Sequence, residues 1–233
     1  MKILLTTTSF QDTPGKHQDL LNKQAYEIDT IRGPVKADVL LPIISQYDGI
    51  ICGDDEINEE VIIAGKNGKL KVISKYGVGL DKIDLDSAKK YSVAITNCPG
   101  VNHNTVAEHV FALILSFFKN ICLEQNITKA GGWKRLIGHE IYGKTIGILG
   151  LGKIGKEVAV RSKAFGLHVL ASDLIIDEKF VNENEIEVVK TKEEIFEKSD
   201  IVSLHLNLTA ENRNIISKKL IRKHFKKGLI LVN

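Results

Sequence analysis

Short apolar runs alternate with longer amphipathic segments along the whole chain. The apolar runs are brief and rich in β-branched residues, which favours buried parallel strands over helices. The amphipathic segments between them have the length of crossover helices, so the pattern predicts an α/β protein with parallel sheets. The predicted strands span residues 3–6, 49–52, 72–74, 93–96, 145–149, 168–171, 201–206 and 229–232, and the clearest predicted helices span 18–26, 58–66, 85–90 and 154–165.

A domain boundary is predicted close to Pro99. This proline biases Cys98 towards extended geometry, and Gly100 permits a turn, so a strand ends at this point. A long apolar helix is predicted to follow, from about Thr105 to Lys119. The chain therefore divides into a first domain over residues 1–100 and a second over residues 101–233.

Composition narrows the class of protein. The chain has 233 residues, of which 43% are hydrophobic and 26% are charged, with a formal net charge of +3. These values exclude a disordered chain and a disulfide scaffold. Because the positive charge is spread along the chain, no nucleic-acid or membrane partner is expected. The apolar run 106–118 is also shorter than the roughly 20 residues that a membrane span needs.

Cysteine usage and the N-terminus indicate the compartment. Cys52, Cys98 and Cys122 form no CxxC pair and no metal-ligand spacing, so no metal is predicted. Three buried thiols in a reducing cytosol are the expected arrangement. The N-terminal residues are too polar for a signal peptide and are predicted to form the first strand. These features predict a cytoplasmic protein.

A dinucleotide-binding motif carries the clearest chemistry. The predicted strand 145–149 is followed by Gly150-x-Gly152-x-x-Gly155 and a predicted helix. Gly150 allows a tight turn, Gly152 lets the backbone approach a diphosphate, and Gly155 lets the helix pack closely on the strand. The amide groups at the start of that helix would bind the diphosphate. The alternative is a glycine turn without a ligand.

An acidic residue after the next predicted strand identifies the cofactor. Asp173 lies 18 residues after Gly155, close to the usual spacing of about 20. Its carboxylate would accept hydrogen bonds from the adenosine ribose hydroxyls and would repel the 2′-phosphate of NADP. The next four residues, 174–177, include no Arg or Lys that could bind that phosphate. The predicted cofactor is therefore NAD.

Four segments, taken together, resemble the D-isomer-specific 2-hydroxyacid dehydrogenase family, and especially its phosphoglycerate-dehydrogenase-like branch. The resemblance implies a flavodoxin-like substrate domain plus a Rossmann NAD-binding domain, with the active site in the cleft between them. It also implies oxidation of a D-2-hydroxy acid, most like 3-phosphoglycerate, with reduction of NAD. The segments are KYGVGLDKID (75–84), TNCPGVNHNTVAEHVFALIL (96–115), GKTIGILGLGKIG (143–155) and DIVSLHLNLTAENRNII (200–216).

The resemblance also implies roles for individual residues. The loop Gly77-Val78-Gly79 would bind the substrate carboxylate through backbone N–H groups, and small residues at a strand end suit such a nest of donors. A plain glycine turn is the alternative. Val78 stands where phosphite-specialised members carry Lys, which disfavours that substrate. Asn102 and Val106 would lie near the substrate and the nicotinamide. The remaining cofactor contacts would come from Lys153, Ile154, His205, Leu206, Asn207 and Thr209, where Asn207 replaces the usual Pro.

A homodimer is expected from the same resemblance. The apolar helix 106–118 and the loop that carries Trp133 would form the contact. The alternative is that Phe111, Leu115 and Phe118 belong only to the core. Glu108 and His109 form no catalytic pair in this interpretation, because adjacent helix residues point about 100° apart.

No catalytic residue is assigned in the sequence. Hydride transfer needs a cation that polarises the carbonyl and an acid/base for the hydroxyl proton. The resemblance places an Arg, a Glu and a His in these roles beyond Asn233, so the Rossmann domain is expected to be incomplete at its C-terminus and this chain to show no turnover. Three explanations stay open: a truncated dehydrogenase, a catalytically dead NAD-binding sensor or interaction protein, and another Rossmann class such as a methyltransferase.

Overall fold

The computed structural model describes residues 1–209 and 211–233. The chain divides into two compact units, Met1–Val101 and Asn102–Asn233.

Unit 1, Met1–Val101, contains a parallel sheet of five strands in the order β2-β1-β3-β4-β5. This is the flavodoxin-like strand order. Leu4, Ile50 and Ile73 on its three inner strands are at most 1% exposed, so the core lies against the middle of the sheet. The strands are β1 (Lys2–Leu5), β2 (Glu27–Thr30), β3 (Gly49–Cys52), β4 (Val72–Lys75) and β5 (Ala94–Thr96); the helices are α1 (Thr8–Asp12), α2 (Lys16–Asn22), α3 (Ala37–Leu40), α4 (Glu59–Asn67) and α5 (Leu85–Lys90), with a 3-10 turn at Ile44–Gln46.

One strand of unit 1 is missed by the sequence pattern. The pattern predicts a helix over 18–26 and no strand after it, whereas α2 ends at Asn22 and β2 begins at Glu27. β2 is an edge strand whose four residues are exposed or half-buried, so it lacks the apolar run of a buried strand. Its pairing with β1 places Ile28 beside Ile3.

Unit 2, Asn102–Asn233, contains a second parallel sheet, in the order β10-β9-β6-β7-β8. Its first strand is central and the order reverses there, as in a dinucleotide-binding Rossmann domain. The strands are β6 (Thr145–Leu149), β7 (His168–Ser172), β8 (Glu187–Val188), β9 (Ile201–Leu204) and β10 (Ile230–Val232); the helices are α6 (His103–Phe118), α7 (Ile121–Lys129), α8 (Lys153–Ala164), α9 (Glu178–Glu183), α10 (Lys192–Lys198) and α11 (Lys218–His224).

Side chains of β6 alternate between the two faces of this sheet. Ile146 and Ile148 are fully buried in the cluster that contains residues of α6 and α8. Leu149 belongs to a second cluster, together with Phe196 of α10. Both faces of β6 are therefore covered, which explains its almost continuous apolar sequence.

The expectation of three buried thiols is wrong for two of the cysteines. Cys52 is buried, Cys98 is half-buried and Cys122 is exposed. Cys122 lies on α7, a helix without a buried residue, so the apolar sequence around it does not become core. Burial raises the pKa of the Cys52 thiol to about 12, which keeps it protonated at neutral pH.

Helix α6 begins two residues earlier than predicted and ends at Phe118. Phe111 and Phe118 are buried, and Leu115 is half-buried against the same cluster, so these three residues pack within their own unit. No single helix in the described ranges is long and apolar enough to cross a membrane; α6 and α7 reach that length only as a pair bent by 65°.

Candidate cofactor and substrate sites

The glycine-rich loop of unit 2 joins β6 directly to α8. Gly150 has a φ of +97°, and a Cβ atom there would lie 2.6 Å from the backbone oxygen of His205. A Cβ atom on Gly155 would collide with the backbone oxygen of Gly150. Both collisions are with backbone atoms, so the close approach of α8 to the end of β6 depends on these two glycines.

The first turn of α8 presents open N–H donors. The helix has 12 residues, and Gly152 at its N-cap position provides no side-chain hydrogen bond. A Cβ atom on Gly152 would meet no atom of residues 1–209 and 211–233 within 4 Å, and Gly152 and Lys153 are exposed. The unpaired N–H groups of a helix N-terminus attract anions, so this loop suits a diphosphate. Ile154 is half-buried and packs against the core of unit 2.

Asp173 follows β7 and lies beside the glycine-rich loop. Its Oδ2 atom accepts a hydrogen bond from the Leu151 N–H at 2.5 Å. Its Oδ1 atom accepts from the N–H groups of Leu174 at 2.6 Å and of Ile175 at 3.3 Å. The structure thus brings Asp173 to the loop, as a ribose-binding carboxylate requires.

His205 comes directly after β9, next to the same loop. Its N–H donates to the backbone oxygen of Leu149 at 2.8 Å, and its Nε2 atom lies 2.8 Å from the Ser203 hydroxyl oxygen. Burial lowers the pKa of His205 to about 4, so the imidazole is neutral at physiological pH. His205 therefore takes part in hydrogen bonds and carries no positive charge towards a diphosphate.

The segment after His205 lies on the surface. Leu206, Asn207 and Thr209 are exposed. Asn212 fastens this segment: its side-chain oxygen accepts from the Thr209 N–H at 2.8 Å, and its Nδ2 atom donates to the backbone oxygen of Asn207. Sequence reasoning did not identify Asn212, although Thr209 and Asn212 bond to each other's backbone N–H groups in the reciprocal manner of a capping box.

A cavity of about 200 Å³ lies between α6 and the carboxyl ends of β9 and β10. Val106, predicted to lie near the nicotinamide, forms part of its wall. Asn102 is half-buried at the N-cap position of α6. Glu108 and His109 are both exposed on this helix. The cavity is lined by Val106, His109, Val110, Leu113, Ser203, Leu204, His205, Val232 and Asn233.

The predicted carboxylate-binding loop of unit 1 follows β4. The backbone oxygen of Gly77 accepts from the Cys98 N–H at 2.9 Å, and that of Val78 accepts from the Asn97 side chain at 2.8 Å. Within the described part of the chain, the N–H groups of Val78 and Gly79 have no hydrogen-bond acceptor. Of the three predicted loop donors, the Gly77 N–H already bonds to the backbone oxygen of Lys75 at 3.0 Å, so the Val78 and Gly79 N–H groups are the two left for an anion.

Two charged side chains beneath this loop are absent from the sequence prediction. Lys75 is 5% exposed, and its Nζ atom donates to the backbone oxygen of Gly53 at 2.5 Å and to Asp54 Oδ1 at 2.6 Å. Asp55 is fully buried and accepts from the backbone N–H groups of Val35 and Gly53 and from the Thr6 hydroxyl. These contacts join β1, β3 and β4 at their carboxyl ends.

No cluster of His, Cys, Asp or Glu able to hold a metal ion occurs among residues 1–209 and 211–233.

The strand order and the glycine-rich loop define the class of protein: unit 2 is a dinucleotide-binding Rossmann domain. The chain belongs to the D-isomer-specific 2-hydroxyacid dehydrogenase family, because residues 111–233 match the family model described as "D-isomer specific 2-hydroxyacid dehydrogenase, NAD binding domain". The predicted family, α/β fold and NAD cofactor are thereby confirmed.

Individual relatives carry different names. The chain is 36% identical over 219 residues to a hydroxypyruvate reductase of Thermotoga maritima, covering 93% of this chain and 69% of the relative. It is 39% identical over 170 residues to D-3-phosphoglycerate dehydrogenase of Bacillus subtilis, covering 72% of this chain and 32% of the relative. The structure of NAD⁺-bound 3-phosphoglycerate dehydrogenase of Entamoeba histolytica matches with a TM-score of 0.77 and 30% identity, covering 99% of this chain and 70% of that one.

Proposed function

We propose that this chain provides the cofactor-binding and carboxylate-binding parts of an oxidoreductase that interconverts a D-2-hydroxy acid and its 2-oxo acid. The observation that carries the proposal is the presence of an anion-binding loop in each of the two units. One, at Gly150–Gly155, has open N–H donors beside Asp173. The other, at Gly77–Gly79, has two N–H groups without an acceptor among the described residues.

The residues of unit 2 would hold NAD in distinct ways. The N–H groups at Gly152, Lys153 and Ile154 would bind the diphosphate, because they lie at the start of α8. Asp173 would accept a ribose hydroxyl. Val106 would bound the nicotinamide end, where the cavity beside α6 lies. Bound NAD supplies the hydride acceptor for this chemistry.

The exposed segment after β9 would complete the cofactor site. His205 would contribute a neutral side chain, since burial keeps its pKa at about 4. Leu206, Asn207 and Thr209 are exposed and would contact the cofactor from the second half of the Rossmann sheet. Asn212 would hold this segment in place through its bonds to Asn207 and Thr209.

The residues of unit 1 would orient the substrate. The Val78 and Gly79 N–H groups would bind the carboxylate, which fixes the neighbouring C2 atom for reaction. Asn102 would also lie near the substrate. The buried Lys75 and Asp55 fasten the strand ends from which this loop emerges. 3-Phosphoglycerate-like and hydroxypyruvate-like acids are the proposed substrates, in keeping with the names of the relatives.

A second copy of this chain is the proposed partner. Phe117, Ile121 and Leu123 are about half exposed or more on α6 and α7, and Trp133 is 95% exposed beyond α7. Phe111 and Phe118 of α6, in contrast, are buried in the core of unit 2. Apolar surface of this kind is typical of an interface between subunits. We also propose a cytoplasmic location, in keeping with the free thiols.

Amide chemical shifts provide the test on the substrate side. Hydroxypyruvate and 3-phosphoglycerate are added separately to isotope-labelled protein, and the backbone amides of Val78 and Gly79 are followed. We expect saturable shifts at these two amides, with the Ile146 amide in β6 as the unaffected reference. Saturable binding of either acid that leaves both loop amides unmoved would contradict the proposed carboxylate site.

A further inference from the structure

Asp173 makes contacts within the protein that go beyond a ribose-binding role. β6 and β7 are paired from Thr145–His168 to Leu149–Ser172, and one more backbone bond follows, from the Gly150 N–H to the Ser172 oxygen at 2.9 Å. The chain turns at Gly150, whose φ is +97°, and the next N–H, that of Leu151, bonds to the carboxylate of Asp173 at 2.5 Å. The side chain of Asp173 therefore ties the glycine-rich loop to the end of β7 where the two strands diverge.

The Leu151 N–H depends on this carboxylate. Leu151 is 3% exposed, and its side chain belongs to the core cluster of unit 2. A buried N–H group needs an acceptor, because leaving it unpaired costs its full desolvation free energy. Within residues 1–209 and 211–233, Asp173 is the one acceptor that bonds to it. The other oxygen of the same carboxylate turns the chain after β7 by accepting from Leu174 and Ile175.

We propose that Asp173 is a positioning residue that holds the glycine-rich loop in its anion-binding shape, in addition to its proposed contact with the cofactor ribose. By accepting a hydrogen bond from the Leu151 N–H, its carboxylate fixes the backbone between Gly150 and Gly152. The N–H groups that follow then face solvent, where an anion can bind. The carboxylate offers about four acceptor positions. Three are used by Leu151, Leu174 and Ile175, which leaves room for one ribose hydroxyl.

Amide hydrogen exchange of the purified protein without added cofactor tests whether Asp173 holds the glycine-rich loop. This measurement is independent of the proposed function, since no NAD is present. In Asp173→Ala we expect the Leu151 amide to exchange at least about tenfold faster than in the wild type, because its hydrogen-bond acceptor is gone. The Ile148 amide in β6 serves as the internal reference and should keep its protection.

Two further variants sharpen the result. Asp177→Asn removes a nearby carboxylate that caps α9 and pairs with Lys156, and it should leave Leu151 exchange unchanged. Asp173→Asn keeps one acceptor oxygen and should give an intermediate rate; it carries the test if the alanine variant does not fold. Unchanged Leu151 exchange in a folded Asp173 variant, or an equal rise in Asp177→Asn, would overturn the proposal.

Discussion

The two glycine-rich loops each follow an inner strand of a parallel sheet, but they are built differently. The loop after β6 leads directly into the 12-residue helix α8, and Gly150 and Gly155 are required there because backbone atoms lie 2.6 Å or less from where a Cβ would be. The loop after β4 leads into an irregular segment before α5. There, a Cβ atom on Gly77 would meet the Lys75 side chain at 3.1 Å, and one on Gly79 the Asp81 side chain at 3.0 Å.

This difference distinguishes glycines that are required for packing from glycines that keep N–H donors accessible to a ligand. At Gly150 and Gly155 a side chain cannot fit without moving backbone, so the sequence motif is a packing requirement as well as a binding one. At Gly79 only the flexible Asp81 side chain would have to move, whereas Gly77 has a φ of +158°, which residues with a side chain rarely adopt. Gly79 therefore mainly keeps the approach to the Val78 and Gly79 N–H groups open.

The largest expected effect tests this contrast. Gly150→Ala places a Cβ at a φ of +97° and 2.6 Å from a backbone oxygen, and should lower the free energy of unfolding by about 3 kcal/mol. Gly79→Ala should cost less than about 1 kcal/mol, because only the Asp81 side chain must move. Urea denaturation of both variants measures the difference.

Gly152→Ala is the matched control in the same loop as Gly150. Its Cβ would meet no atom within 4 Å in the part of the chain that the structure describes, so the free energy of unfolding should stay within about 0.5 kcal/mol of the wild type. NAD affinity should nevertheless fall, because the methyl group would occupy the approach to the diphosphate. Equal destabilisation by the alanines at 150 and 79 would remove the distinction between the loops.

A smaller effect concerns His205, whose backbone lies against Gly150. Its pKa is about 4 in the folded protein, because burial disfavours the charged imidazole, and near 6.5 when unfolded. Between pH 6.5 and 4 the unfolded state therefore binds more protons, and this residue makes stability fall as the pH falls. The contribution is on the order of 1–3 kcal/mol at the acid end.

Replacing His205 with Gln should remove that part of the pH dependence. The measurement is the free energy of unfolding at pH 7 and pH 4.5 for both proteins. His109 lines the cavity beside α6, as His205 does, but it is exposed. His109→Gln is therefore the control and should leave the difference in unfolding free energy between pH 7 and pH 4.5 unchanged. A His205 imidazole that titrates near 6.5 by NMR in the folded protein would show that burial does not lower its pKa.

The sequence predicts the parts of this molecule that follow from local spacing. Gly150, Gly152, Gly155 and Asp173 form one local pattern, and the structure brings all four together. The sequence pattern did not predict β2, because an edge strand needs no apolar run.

Hydrogen bonds between residues that are distant in the sequence could not be predicted from local spacing. The contacts of Lys75 with Gly53 and Asp54 join residues 21 or 22 positions apart, and a lysine at a strand end normally indicates a solvated charge. Cys122 was expected to be one of three buried thiols. It is exposed because α7 contains no buried residue, and how a helix packs on its unit cannot be read from local spacing.

Calorimetric titration with NAD⁺ and NADP⁺ shows whether this chain binds NAD through the glycine-rich loop and Asp173. We predict saturable binding of NAD⁺ and binding of NADP⁺ at least about tenfold weaker, because the Asp173 carboxylate would face the additional 2′-phosphate. Asp173→Ala should weaken NAD⁺ binding and reduce this preference. Equal affinity of the wild-type chain for the two cofactors, or no binding of NAD⁺, would rule out the proposed role of Asp173 and the loop in NAD binding.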